Sequence, residues 1–157
     1  MNNRTKKNSI IYVDADACPV KTEISMIAKE ENWYARFIAS FDHIPNEQDK
    51  NNEWSFVDPG RDSVDLYILN EIRKGDILIT QDIGLASLVL PKGVYALSPR
   101  GTDYKEETIN TMLDFRFLSA KARQQGVYGK GPSPFTKEDR LNFQHSLRRL
   151  LSEIEGV

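Results

Sequence analysis

Short apolar runs alternate with helical patterns over the first two-thirds of the chain. Ile10-Ile11-Tyr12-Val13 is a continuous β-rich run, the signature of a strand buried on both faces. Pro19 follows as a good first helical residue, and Val20, Ile24, Ile27 and Ala28 then recur at helical spacing. Tyr34–Ala39 and Trp54–Val57 read as a second and third strand. Asp62 to Arg73 reads as a helix with Val64, Ile68 and Ile72 on one face, closed by Gly75 as C-cap. Ile77-Leu78-Ile79 is a fourth strand, Ile83–Leu90 a short helix and Val94–Leu97 a fifth strand. Strands that alternate with helices predict a parallel sheet covered on both faces.

The last third has a different pattern. Thr108–Gln124 is a helix with Ile109, Met112, Leu113 and Leu118 roughly on one side. A Gly/Pro-rich loop, Gln125 to Pro134, precedes a second helix whose start at Thr136 resembles a capping box with Asp139 in place of Glu. The expectation is an α/β fold. It is a single three-layer domain over residues 9–153, with a mostly parallel sheet of about five strands and two C-terminal helices (about 108–153). A flexible, polar N-terminus (1–8) precedes it. The 157 residues fit one domain.

Composition narrows the chemistry. One cysteine, Cys18, excludes an internal disulfide framework and a cysteine zinc cluster, and two histidines leave little for a His-rich site. Metal chemistry is left to carboxylate oxygen. No apolar stretch approaches the roughly 18 residues of a membrane span, and the expected location is the cytoplasm. The net charge of −2 hides an asymmetry: residues 1–115 carry −6 and residues 116–149 carry +6. An acidic body with a basic C-terminal third suggests an anionic partner held by the helices, with Lys121, Arg123 and Arg140 as candidate contacts.

Ligands of an open parallel sheet bind outside the carboxyl ends of its strands. Asp14 and Asp16 follow the first strand, Asp82 follows the fourth, and Asp62 and Asp65 share a face on the first turns of the central helix. Five carboxylates at one edge repel one another unless a hard cation such as Mg²⁺ or Mn²⁺ joins them. Each has a plainer reading too. Asp16 and Asp82 can cap helices, and Asp62 can favour a helix dipole. Arg100, in Ser98-Pro99-Arg100-Gly101, leaves the fifth strand at the same edge and suits a phosphate or an ordinary turn equally. Lys21 could do similar work or simply be solvated. Cys18 reads as a small buried residue rather than a nucleophile.

Several segments together resemble the YaiI/YqxD family of uncharacterised bacterial proteins. They are Val13-Asp14-Ala15-Asp16-Ala17-Cys18-Pro19-Val20, Gly60-Arg61-Asp62-Ser63-Val64-Asp65, Gly75-Asp76-Ile77-Leu78-Ile79-Thr80-Gln81-Asp82 and Pro99-Arg100-Gly101. Gly129-Lys130-Gly131-Pro132 and Phe135-Thr136-Lys137-Glu138-Asp139-Arg140 agree as well, so the resemblance covers about residues 9–151. Ser98, Gly84 and Lys130 depart from the pattern, and no carboxylate is lost. The family is grouped with PIN-like domains, whose carboxylate clusters bind Mg²⁺ or Mn²⁺ and hydrolyse phosphodiester bonds, usually in RNA. The resemblance therefore implies catalytic, metal-binding roles for Asp14, Asp65 and Asp82, with Asp16 and Asp62 in support.

The leading expectation is a metal-dependent nuclease acting on RNA, with Lys21, Arg100, Lys121, Arg123 and Arg140 binding substrate. A non-catalytic RNA-binding or interaction module on the same fold is the alternative. An Asp-x-Asp phosphatase with Asp14 as nucleophile ranks below both, because such enzymes also use a downstream Lys and a later acidic pair, and Asp82 stands alone. No membrane partner is expected, and a homo-oligomer is compatible with the sequence.

Overall fold

The computed structural model describes residues 9–41, 53–60, 63–127 and 133–156. The expected N-terminal arm (1–8), Asp62 and the Gly129–Pro132 motif lie outside the described residues. The elements run β1 (Ile10–Asp14), α1 (Lys21–Glu30), β2 (Tyr34–Ser40), β3 (Glu53–Val57), α2 (Ser63–Glu71), β4 (Ile77–Ile79), α3 (Ile83–Val89), β5 (Tyr95–Leu97), β6 (Asp103–Tyr104), α4 (Glu106–Gln124) and α5 (Lys137–Glu155). A single 3-10 turn, Ala15–Ala17, leaves β1.

The sheet order is β3-β2-β1-β4-β5-β6. Every pairing is parallel except the last, where β6 returns antiparallel beside β5. The fold class is the expected α/β one, with this two-residue strand added to the five read from the sequence. β6 is too short to leave a periodic signal of its own.

Alternate strand residues point to opposite faces. Ile11, Val13, Phe37, Ile77 and Ile79 pack with Ile24 and Ile27 of α1 and Phe143 and Leu147 of α5. Ile10, Tyr12, Ile38 and Leu78 pack with Ile68 of α2, Leu85 of α3 and Ile109 of α4. Both faces are thus closed by helices. The runs Ile10–Val13 and Ile77–Ile79 are continuous because neither of their faces meets water.

Capping fixes the ends. Thr136 accepts a hydrogen bond from the Asp139 amide at 3.0 Å, and the Asp139 carboxylate accepts one from the Thr136 amide at 3.0 Å. Asp included, the expected capping box forms. Gly75 adopts φ +89°, the left-handed conformation that lets the chain turn from α2 into β4. Buried Asp76 then accepts from the amides of Ile10 (2.9 Å) and Arg73 (2.8 Å), tying the start of β1 to that turn.

One expectation fails on α4. Ile109 is buried, but Leu118 is 61% exposed. Beyond Met112 the helix extends past the core, so its apolar pattern no longer marks an inner face.

Candidate active site

Sequence order runs outward in both directions from the β1–β4 pair: β1, β2, β3 on one side and β4, β5 on the other. That is the point where the winding of the sheet reverses, and the diverging connections leave a crevice at the carboxyl ends of the two strands. Val13 pairs with Ile79, so the next residues along, Asp14 and Thr80, stand side by side at the mouth of this crevice.

The Thr80 hydroxyl joins the two strands' chemistry. It donates to Oδ2 of Asp14 at 2.8 Å and accepts from the backbone amide of Asp82 at 3.0 Å. Asp82 is also the N-cap of α3, its Oδ1 accepting from the Leu85 amide at 3.1 Å. The capping role expected of Asp82 and its place at the crevice are therefore compatible, because one carboxylate oxygen serves each. Asp16 does not cap α1. Its Oδ1 accepts from the Ser40 amide at the end of β2, at 2.9 Å, which orients it from the neighbouring strand. Beneath the crevice, the Tyr104 hydroxyl donates to the Thr80 carbonyl at 3.1 Å.

The electrostatics record the crowding. Burial pushes the Asp14 carboxyl above its ordinary range, the Thr80 hydrogen bond opposes this, and the negative charges of Asp82 and Asp16 push it further up. Burial, and then Asp82, lift the Tyr104 phenol to about 12. Among the described residues, Oδ1 of Asp14 and Oδ2 of Asp82 have no protein donor. Arg116 of α4 approaches from outside, its Nη1 3.7 Å from Oδ1 of Asp82. Gly84 keeps the space for it, since a Cβ there would stand 3.1 Å from that oxygen and 3.5 Å from Nη2 of Arg116.

The structure thus gathers Asp14, Asp16 and Asp82 into one electrostatic group. Asp65 lies in the first turn of α2 and is not among the charges that act on Asp14. Among the described residues, no group of three or more His, Cys, Asp or Glu side chains converges closely enough to hold a metal ion by itself. Cys18 is buried, and burial raises its thiol to about 11, so it stays protonated at neutral pH and is no nucleophile.

A groove of about 460 Å³ opens beside the carboxylates, lined among others by Ala17, Gln81, Pro99, Tyr104, Met112 and Phe135. Arg100 lies on its wall. Its guanidinium donates to Asp139 at 2.8 Å and to the Ser133 and Pro134 carbonyls, and lies over the Phe135 ring. Arg100 thus holds the β5 loop to the start of α5. Arg140 is likewise occupied, donating to the Pro19 carbonyl (2.7 Å) and to Glu23 (3.1 Å).

The basic third is in large part turned inward. Arg148 pairs with Glu30 at 2.7 Å and Arg149 with Asp103 at 2.9 Å, so these arginines neutralise the acidic body. Among the described residues, Lys21, Lys121 and Arg123 make no ion pair or hydrogen bond through their side chains. Lys21 opens α1, and the other two are exposed in the last turn of α4. The sequence reading missed Thr80, Tyr104 and Arg116. Thr80 left one faint signal: a hydroxyl in the first position after an apolar strand and two residues before an aspartate.

Comparison with known proteins agrees with the motifs. The model of the YaiI/YqxD family, described as uncharacterised, matches residues 12–153. A UPF0178 protein of Bacillus velezensis is 46% identical over 152 residues, covering 97% of this chain and 90% of its own. A UPF0178 protein of Listeria monocytogenes, Lmo1456, is 49% identical over 141 residues, covering 90% and 94%. No solved structure matches the chain.

Proposed function

The chain belongs to the YaiI/YqxD family, and on that premise we propose that it is a cytoplasmic, metal-dependent phosphodiesterase that cleaves RNA at Asp14 and Asp82. The observation that carries this reading is the Thr80 bridge at the reversal point of the sheet, which ties the Asp14 carboxylate to the Asp82 backbone while each of the two carboxylates keeps one oxygen open. Among the described residues no helix is long and apolar enough to cross a membrane.

The donor set fits Mg²⁺ or Mn²⁺. Such ions take oxygen ligands and are commonly held by one or two carboxylates plus substrate phosphate and water. Asp14 and Asp82 would hold the ion, and its charge would relieve the repulsion that raises Asp14. When bound, it supplies a Lewis acid for the phosphate and lowers the pKa of water. The chain's own residues do the rest. Thr80 favours the ionised form of Asp14 and aims it, the α3 N-terminus fixes Asp82, and Asp16 adds negative charge alongside. The groove next to them, with its Tyr104, Met112 and Phe135 walls, is large enough for a sugar and base.

The test is incubation of labelled single-stranded RNA with the parent chain and with Asp14→Asn, each with and without Mn²⁺. Cleavage that needs Mn²⁺ and disappears in Asp14→Asn is the expected result, and equal cleavage by both refutes the site. The absence of a three-carboxylate cluster among the described residues favours a second reading, a non-catalytic RNA-binding module. Calorimetry that finds RNA binding without Mn²⁺ binding would select it.

A further inference from the structure

A row of side chains along α4 starts at the edge of the core, passes the carboxylate crevice and continues over exposed surface. Met112, Phe115, Arg116, Ser119 and Arg123 follow one another at offsets of three, four, seven and eleven from Met112. They form one stripe, about 16 Å long at a rise of about 1.5 Å per residue. Its first member, Met112, lines the groove. Arg116 is 3.7 Å from Asp82. Phe115 stands 73% exposed, the most exposed large apolar residue described, and Arg123 closes the row in the last turn. No carboxylate lies in the stripe.

An exposed apolar helix could instead bury itself against a second copy of the chain. α4 is poorly shaped for that. Of its open apolar residues, Phe117 lies about 160° around the helix from Phe115, and only Leu118, three positions on, shares its face, so the apolar patch is two side chains wide and far short of a dimer interface. What the stripe does offer is an exposed ring followed by two guanidinium groups on its C-terminal side, continuous with the carboxylates. That matches a polyanion with flat faces open for stacking. A duplex keeps its bases stacked on each other and gives Phe115 nothing to receive.

We propose that this stripe is the track of an unpaired polynucleotide strand running out from the carboxylates. A base stacks on Phe115, Arg116 holds the phosphate beside Asp82, and Arg123 holds a phosphate farther along. The inference deepens the nuclease reading and rests on it for the direction in which the strand meets the site.

The test reads binding alone, so the two can fail separately. Fluorescence anisotropy of a short labelled oligo(U) strand is followed with the full chain in EDTA. Phe115→Ala is expected to weaken binding about 5- to 150-fold, the range of one base–aromatic stack. Phe115→Trp is expected to restore it. Phe117→Ala, equally the loss of an exposed apolar ring, should change affinity less than about twofold, because Phe117 lies about 160° around α4 from Phe115. Arg116→Ala and Arg123→Ala should each reduce the slope of log K against log salt by about 0.7. The track is overturned if Phe117→Ala weakens binding as much as Phe115→Ala, or if a duplex of the same length binds as tightly. It is equally overturned if Phe115→Ala dissociates a dimer in sedimentation while RNA affinity holds. Stripe-dependent binding with no Mn²⁺-dependent cleavage would refute the nuclease and leave the track standing. Cleavage indifferent to Phe115 would do the reverse.

Discussion

Removing one buried hydroxyl tests whether the crevice is held as described. Thr80 is 1% exposed, and Thr80→Val keeps its shape while deleting the oxygen that bridges Asp14 and the Asp82 amide. A hydrogen bond to a charged group contributes about 1.5–3 kcal/mol, and a buried amide left without a partner costs about 1–3 kcal/mol. Both partners are only part-buried and adjacent, so the losses do not add fully, and about 2–4 kcal/mol is expected. For a domain of this size, that lowers Tm by about 5–15 °C. The effect must also depend on pH. The Thr80 bond lowers the Asp14 pKa and so stabilises the ionised carboxylate. Its contribution is present while Asp14 is charged and is lost as pH falls through the raised Asp14 pKa. Thermal melts of the parent, Thr80→Val and Thr80→Ser from pH 7 to pH 3 measure this. The gap between parent and Thr80→Val should narrow with acid, and Thr80→Ser should recover most of it. A gap of the same size at both ends of the range would refute the bridge, as would Thr80→Val melting with the parent at pH 7.

Three further outcomes are expected. Asp14→Asn, in EDTA, should melt above the parent at pH 7. The folded-state pKa of Asp14 is raised, so its stabilising contribution exists below the ordinary carboxylate value and is lost as pH rises through the folded one. At neutral pH the charge is a cost that Asn removes, and melts showing a lower Tm at pH 7 would contradict this. Arg140→Ala should destabilise by about 1–3 kcal/mol without any RNA present, because it strips the pairing from Glu23, whose side chain is only 15% exposed. Unchanged urea unfolding with weakened RNA binding would instead return Arg140 to the substrate contacts. Gly101→Ala should cost about 2–4 kcal/mol, since φ is +93° and the new Cβ would meet the Asn142 carbonyl oxygen of α5 at 2.8 Å. Urea unfolding with no shift in midpoint would show that the β5 loop does not bear on α5.

How much was legible in the sequence follows from the range of each interaction. β1 and β4 announce themselves because strands sealed on both faces must be apolar at every position, and the aspartates that end them mark where the sheet meets water. The register that sets Asp14 beside Thr80 follows from pairing two such runs, yet no local pattern states that β1 and β4 are neighbours across 66 positions. The basic third misleads for the same reason. Counting charges along the chain separates Arg140 from Glu23 and Arg148 from Glu30, pairs that only the docking of α5 on α1 brings together. Once those pairs form, the unpaired basic side chains among the described residues of this third are Lys137 at the start of α5 and Lys121 and Arg123 at the exposed end of α4. There the periodicity that served the other helices gives out, since an extended helix can carry Phe115, Phe117 and Leu118 without assigning any of them to a core. The residues hardest to assign from periodicity are thus the ones that packing does not explain. On the proposed track, substrate contacts therefore fall to the α4 stripe rather than to the wider basic third.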